Sequence, residues 1–115
     1  MINLASLPAR VRRPGYDRGR VAAGIVHFSV GNFHRAHQAD YLDRCLHLPG
    51  QTGWGICGVG LIDSQPERAK ALSMAAQAGL YTLTQFPAEG EPSTSVVGSM
   101  VDYLFAPADP GVVLA

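Results

Sequence analysis

The 115-residue sequence has no excess of charge of either sign, since nine Lys and Arg stand against nine Asp and Glu. A balanced chain sets up no overall field for nucleic acid or an anionic membrane, so neither is expected as a partner. Charge is also sparse, 16% of residues against 47% apolar, which argues against intrinsic disorder. No apolar run approaches the roughly 18 residues of a spanning helix, and no secretory apolar segment follows Met1. A soluble, globular, cytoplasmic protein is the expectation. Cysteine is scarce too. Cys45 and Cys57 alone make no disulfide framework, and their spacing matches no zinc motif. Both sit among apolar neighbours, so buried, reduced thiols are expected. Glycine and proline are plentiful, 13 and 8, a high count for an α-helical bundle. The length suits one small domain.

The first twenty residues carry Arg10, Arg12, Arg13, Arg18 and Arg20 against Asp17. That composition fits a transit peptide or a basic arm. Pro8, Pro14 and Gly15 break the continuous amphipathic helix a transit peptide needs. A solvated, extended lead-in over residues 1–23 is the preferred expectation.

From Gly24 the pattern sharpens. Residues 24–31, Gly-Ile-Val-His-Phe-Ser-Val-Gly, read as a strand buried on both faces. Beyond Asn32, Phe33, Ala36, Ala39, Tyr41, Leu42, Cys45 and Leu46 fall at a broken 3–4 spacing, with Arg35, Gln38, Asp40 and Asp43 between them. That spacing predicts one amphipathic helix of about twelve residues, ended by Pro49-Gly50, with Tyr41 in the core and Asp43 on the surface. Residues 54–59, Trp-Gly-Ile-Cys-Gly-Val, read as a second buried strand. Strand, helix and strand within about 36 residues make a βαβ unit. Residues 66–77 predict a helix with Pro66 near its start and Gly79 past its end. Residues 80–86 predict a strand, 89–92 a hairpin-type turn, and 95–101 a weaker strand, with 102–105 ambiguous. Asp109-Pro110 has the form of an N-cap and first helical position for a helix running to Ala115.

Chemistry concentrates where the first strand meets the helix, at Ser29-Val30-Gly31-Asn32-Phe33-His34. Dinucleotide folds place G-x-G-x-x-G there. Only Gly31 matches it, with Ser29 and His34 at the outer positions. The context supports phosphate binding, because a helix N-terminus after a buried strand offers unpaired N–H groups and a positive dipole end. A plain structural βαβ unit fits nearly as well. His34 and His37 share i, i+3 spacing, with His27 and His47 elsewhere, but no Cys or acid completes a metal set. No metal site is expected, and no nucleophile elbow is present.

Residues 24–27, 30–39 and 54–61, the middle one reading Val-Gly-Asn-Phe-His-Arg-Ala-His-Gln-Ala, resemble the polyol-specific long-chain dehydrogenases, the mannitol 2-dehydrogenase family. The resemblance runs from about Leu7 to Ala115. It implies an α/β fold, a Rossmann-like NAD(P)-binding domain with a parallel sheet and helices on both faces, partial over 24–115. Further strands and a C-terminal catalytic domain would lie beyond. Exposed apolar surface would follow, so a marginal or associating protein is expected.

On this resemblance Ser29, Val30, Gly31, Asn32, Phe33, His34 and Arg35 form the cofactor-contacting turn and helix start. Ser29 stands where the family more often has Gly, so it must hold a negative φ or bear strain. Asp63 is the first candidate for the adenosine ribose, with Glu67 second. Relatives carry an acidic pair where this chain reads Ser64-Gln65-Pro66-Glu67. Such a carboxylate would accept the ribose hydroxyls and repel a 2′-phosphate, favouring NAD, with NADP left open. The implied activity is oxidation of a secondary alcohol of a polyol, or reduction of a ketose or hexuronate. No residue here matches the family's catalytic motifs, so no catalytic residue is assigned. A non-catalytic nucleotide-binding or interaction module is the rival reading, and a metal-dependent hydrolase using His34 and His37 a fainter one.

Overall fold

The computed structural model describes residues 2–114. Two 3-10 turns, Leu4–Ser6 and Arg18–Arg20, precede β1 (Ala23–Phe28), α1 (Asn32–Ala36) and α2 (Gln38–Cys45). Then follow β2 (Gly55–Gly60), α3 (Gln65–Ala76), β3 (Tyr81–Gln85), β4 (Ser93–Val97), β5 (Met100–Phe105) and α4 (Gly111–Leu114). Strands β1, β2 and β5 form a parallel sheet in that spatial order, flanked by α2 and α3. Ile25 lies opposite Ile56 and Phe28 opposite Val59, while Cys57 faces Asp102 and Gly60 faces Phe105. The expected βαβ unit is present. Strands β3 and β4 make a separate antiparallel hairpin whose connection contains the anticipated 89–92 turn.

The main core joins Val30 of the turn after β1, Ala39 of α2, Ile56 of β2, Met74 of α3, Val97 of β4 and Met100 of β5. β2 is buried along its whole length, as its apolar run required. α3 starts on Ser64, whose hydroxyl accepts the Glu67 N–H, and has Pro66 in its first turn. It ends ahead of Gly79, which holds φ +77° and returns its N–H to the Met74 carbonyl at 2.8 Å. A Cβ there would meet the Met100 carbonyl oxygen at 2.0 Å, so glycine is required on two counts.

The structure revises several expectations. β1 is not buried on both faces: Val26 and Phe28 are 56% and 53% exposed. It is an edge strand, and among the described residues nothing covers that side. The expected single helix is broken at His37 (φ −120°, ψ −81°). The Phe33 carbonyl still accepts the His37 N–H at 3.0 Å, and the His37 ring Nδ1 lies 2.9 Å from the same oxygen, so the break falls after this bond, at the His37 backbone dihedrals themselves. The weak strand at 95–101 is two strands separated by Gly98-Ser99. Ala115, the expected end of the last helix, lies outside the described residues. Cys57 is buried but Cys45 is exposed.

Tyr41 and Asp43 exchange their expected places. Tyr41 is 58% exposed, whereas Asp40 and Asp43 are buried at 1%. Each carboxylate has at least one partner far along the chain. Asp43 accepts the Tyr16 hydroxyl and, at 2.8 Å, the Gly98 N–H. Asp40 pairs with Arg44 at 3.1 Å and Arg12 at 3.6 Å. The lead-in is exposed along most of its length but anchored at Val11, Arg12 and Tyr16. Val11 packs with Leu80 and Val96 in a second core cluster, and Arg12 bridges to Ser95 beside β4. Burial, then Asp43, pushes the Tyr16 hydroxyl pKa above its ordinary value, so the phenol stays a donor.

Asp43→Ala strands a buried Tyr16 hydroxyl and the Gly98 N–H together. We expect a loss of on the order of 3 kcal/mol in urea unfolding. An unchanged midpoint would show that Asp43 is not an anchor.

Candidate functional site

The carboxyl ends of β1 and β2 define one corner of the parallel sheet, the place where α/β folds bind ligands. After Phe28 the chain turns at Ser29, whose φ is +65°, and its N–H is held by the Val59 carbonyl at 2.8 Å. The strain anticipated for a serine at this position is present. Val30 buries its side chain over Gly58, where an added Cβ would lie 2.8 Å from Val30 Cγ2. Gly31 is extended (φ −120°), and a Cβ on it would meet nothing within 4 Å. No side chain caps the start of α1. Its first N–H groups thus have no side-chain acceptor.

The residues after Gly31 take distinct positions. Phe33 is 78% exposed and stacks on His37 at 4.1 Å. Arg35 donates to Asn32 Oδ1 at 2.5 Å, and its backbone carbonyl accepts the Tyr81 hydroxyl at 2.7 Å. A cavity of about 290 Å³ lies between Asn32, Arg35 and the β3 residues Tyr81 to Leu83. His34, 6% exposed, points inward and stacks on His27 at 3.6 Å, with neither ring nitrogen hydrogen-bonded. Burial, and secondarily His27, lowers its pKa to about 4. The two imidazoles of His34 and His37 thus serve different neighbours. Among the described residues no three His, Cys, Asp or Glu side chains converge on a common point.

At the end of β2, Asp63 lies in the loop before α3 and is paired with Arg68, whose Nε and Nη2 approach Oδ1 at 2.7 and 2.5 Å. Glu67 is instead turned to Lys70, with both carboxylate oxygens within 3.0 Å of Nζ. The same ammonium donates to the Val30 carbonyl at 2.8 Å, tying α3 to the β1 turn. Reading the sequence alone missed three residues of this corner, Arg68, Lys70 and Tyr81, whose partners Asp63, Val30 and Arg35 are brought to them by the fold. Only the Glu67–Lys70 pair had a local signal, its i, i+3 spacing.

An uncapped helix start, a glycine with free space over it and a carboxylate with a guanidinium at the neighbouring strand end suit a dinucleotide. The first two fit a pyrophosphate, the last pair a ribose edge. With the parallel sheet and its βαβ crossover, these define a Rossmann dinucleotide-binding domain. The model of the mannitol dehydrogenase Rossmann domain matches residues 23–110, and the chain belongs to that family. It is 48% identical over 112 residues to the polyol:NADP oxidoreductase of Gluconobacter oxydans, covering 96% of this chain and 22% of the relative. It is 47% identical over 109 residues to the mannitol 2-dehydrogenase of Neosartorya fischeri, covering 93% and 21%. The Pseudomonas fluorescens mannitol 2-dehydrogenase, solved as a ternary complex with NAD and D-mannitol, superposes with a TM-score of 0.89. Its identity is 35%, with 97% of this chain and 22% of that one covered. The chain spans about a fifth of the length of the curated relatives it matches.

Two predictions follow from the turn. Ser29→Gly removes the left-handed strain and should stabilise the fold by about 0.5–1 kcal/mol, read from denaturant midpoints. A destabilised variant would mean that the serine side chain contributes more than its backbone loses. The second concerns acid. His34 is proton-free in the fold down to about pH 4, while in an unfolded chain it binds its proton near pH 6.5. Below about 6.5 the unfolded state therefore holds the extra proton, and stability falls as pH drops toward 4. The thermal midpoint should decline less steeply across that window in His34→Phe than in the native chain. Identical slopes would remove His34 as the cause.

Proposed function

We propose that this chain is the cofactor-binding part of an NAD(P)-dependent polyol dehydrogenase. Such an enzyme interconverts a secondary alcohol of a sugar alcohol and a ketose, or reduces a hexuronate. The observation that carries this reading is the pairing of two half-sites on adjacent parallel strands. One is the open turn at Gly31, the other the Asp63–Arg68 corner. The family membership and the NAD and D-mannitol held by the Pseudomonas relative support it.

In this proposal Ser29, Val30, Gly31, Asn32, Phe33 and Arg35 present the turn to the pyrophosphate. Val30 does so through its backbone, since its side chain is in the core. His34 supports the turn from below, and Asp63 lies at the adenosine ribose. The bound nicotinamide would supply hydride acceptance; the protein supplies binding and orientation. We assign residues 24–115 to the dinucleotide-binding domain and 1–23 to its lead-in. The base and the groups that polarise the substrate oxygen belong, on this reading, to a further domain of the parent enzyme. Its partners are the nicotinamide dinucleotide and a small polyol or ketose. A reducing, cytoplasmic setting agrees with the free Cys45 and Cys57. No helix is long and apolar enough to cross a membrane, among the described residues.

Fluorescence titration with NADH tests the reading. Saturable binding is expected, and Gly31→Glu should weaken it at least tenfold by filling the open space and adding negative charge. The chain alone should form no NADH from NAD and mannitol. Absence of saturable binding, or mannitol-dependent NADH production by this chain, would overturn the assignment.

A further inference from the structure

A cavity of about 250 Å³ lies between the lead-in, the last turn of α2 and the β3–β4 hairpin. Arg10, Arg12 and Arg44 line it, together with Gln85, Ser93 and Ser95. The last three share one face of the hairpin, since Gln85 lies opposite Ser93 and Ser95 is two residues on. Val97 continues that face and packs with Ala39 of α2, which fixes its direction. Arg12 is held by its backbone. Its N–H donates to the Thr94 carbonyl at 3.2 Å, and its carbonyl accepts the Val96 N–H at 2.7 Å.

Charge in this cavity is not balanced. Among the described residues, Asp40 alone reaches these guanidiniums, at 3.1 Å from Arg44 and 3.6 Å from Arg12, and Arg10 has no acidic partner. Three cations thus face one carboxylate. Neither Asp40 oxygen makes a well-directed hydrogen bond, so it holds the two arms by charge and leaves most of their five N–H donors open. Ser95 is only 8% exposed, and among the described residues no group hydrogen-bonds its hydroxyl. A buried hydroxyl of this kind needs a partner from outside the fold.

We infer that this cavity is a binding site for a phosphate dianion, free or as the monoester of a small molecule. Guanidinium groups arriving from the lead-in and from α2 can each take two oxygens of a tetrahedral anion, while Ser93 and Ser95 donate from the hairpin. Asp40 is a positioning residue, setting Arg12 and Arg44 without touching the anion. No residue is shared with the Ser29–Arg35 turn or with Asp63, so the site stands whether or not a dinucleotide binds. The anion would join three separate segments, and its binding should therefore raise the stability of the fold.

The test is calorimetric titration of the chain with inorganic phosphate at fixed pH and ionic strength. Saturable binding is expected, and phosphate should raise the thermal midpoint where the same ionic strength of chloride does not. Arg10→Gln and Arg44→Gln should each weaken binding about tenfold, and Ser95→Ala several-fold. An unchanged urea midpoint in Arg10→Gln separates lost binding from lost folding, and Gly31→Glu should bind phosphate as the native chain does. Sulfate should compete and acetate should not. Glycerol 2-phosphate binding more tightly than phosphate supports the site as one for an ester, and the reverse order as one for the free ion. The inference is overturned if no saturable binding occurs, if acetate competes as well as sulfate, or if both arginine variants bind like the native chain. It is equally overturned if Gly31→Glu abolishes binding, which would put the phosphate at the dinucleotide corner.

Discussion

Everything in this domain depends on a central strand that has almost no side chains to spare. β2 places glycine at 55, 58 and 60, and each is closed over by a neighbour. A Cβ on Gly58 would stand 2.8 Å from Val30 and 3.0 Å from Tyr103, and one on Gly60 3.1 Å from Phe105. Because β2 yields this space, the turn after β1 can drop Val30 into the core and present Gly31 outward. β5 can lie against the other edge with its aromatic residues folded inward. Packing at native density leaves no room for a compensating shift, so the sheet and the binding corner share one steric condition.

The lead-in shows how arginine can be a structural residue in a chain of zero net charge. Arg13 donates to the carbonyls of Leu4, Leu7, Pro8 and Val11, gathering the first turn around one guanidinium. Arg18 reaches the carbonyls of Ala78, Gly98 and Met100, closing the ends of α3, β4 and β5 onto the start of the chain. Planar guanidinium groups with five donors can satisfy several carbonyls that strands and helices leave at their ends. The segment is thereby tied to the ends of α3, β4 and β5.

Local pattern carried the reading of the sequence as far as periodicity reaches. The βαβ unit, the fully buried β2, the capping of α3 and the turn from Ser29 to Arg35 were legible, because each is written in contiguous residues. Asp40 and Asp43 were not, since a buried carboxylate looks like a surface one until Arg12, Tyr16 and Gly98 are brought to it. The same holds for the helix break, which lies in the backbone dihedrals of His37, a residue whose side-chain spacing fits a continuous helical wheel. At the candidate site, Asp63 was visible as a strand-end acid. Its arginine was hidden because helix phase had to be known first.

Ser29 carries a last consequence. Its left-handed backbone is held by the Val59 carbonyl within the folded domain. The conformational penalty, about 1 kcal/mol or somewhat more, is therefore drawn from folding stability and is independent of any ligand. A molecule arriving at the turn meets a backbone already set and has no reorganisation to drive there, so the strain is converted into preorganisation. Stability and affinity are in this sense traded against each other at a single dihedral angle.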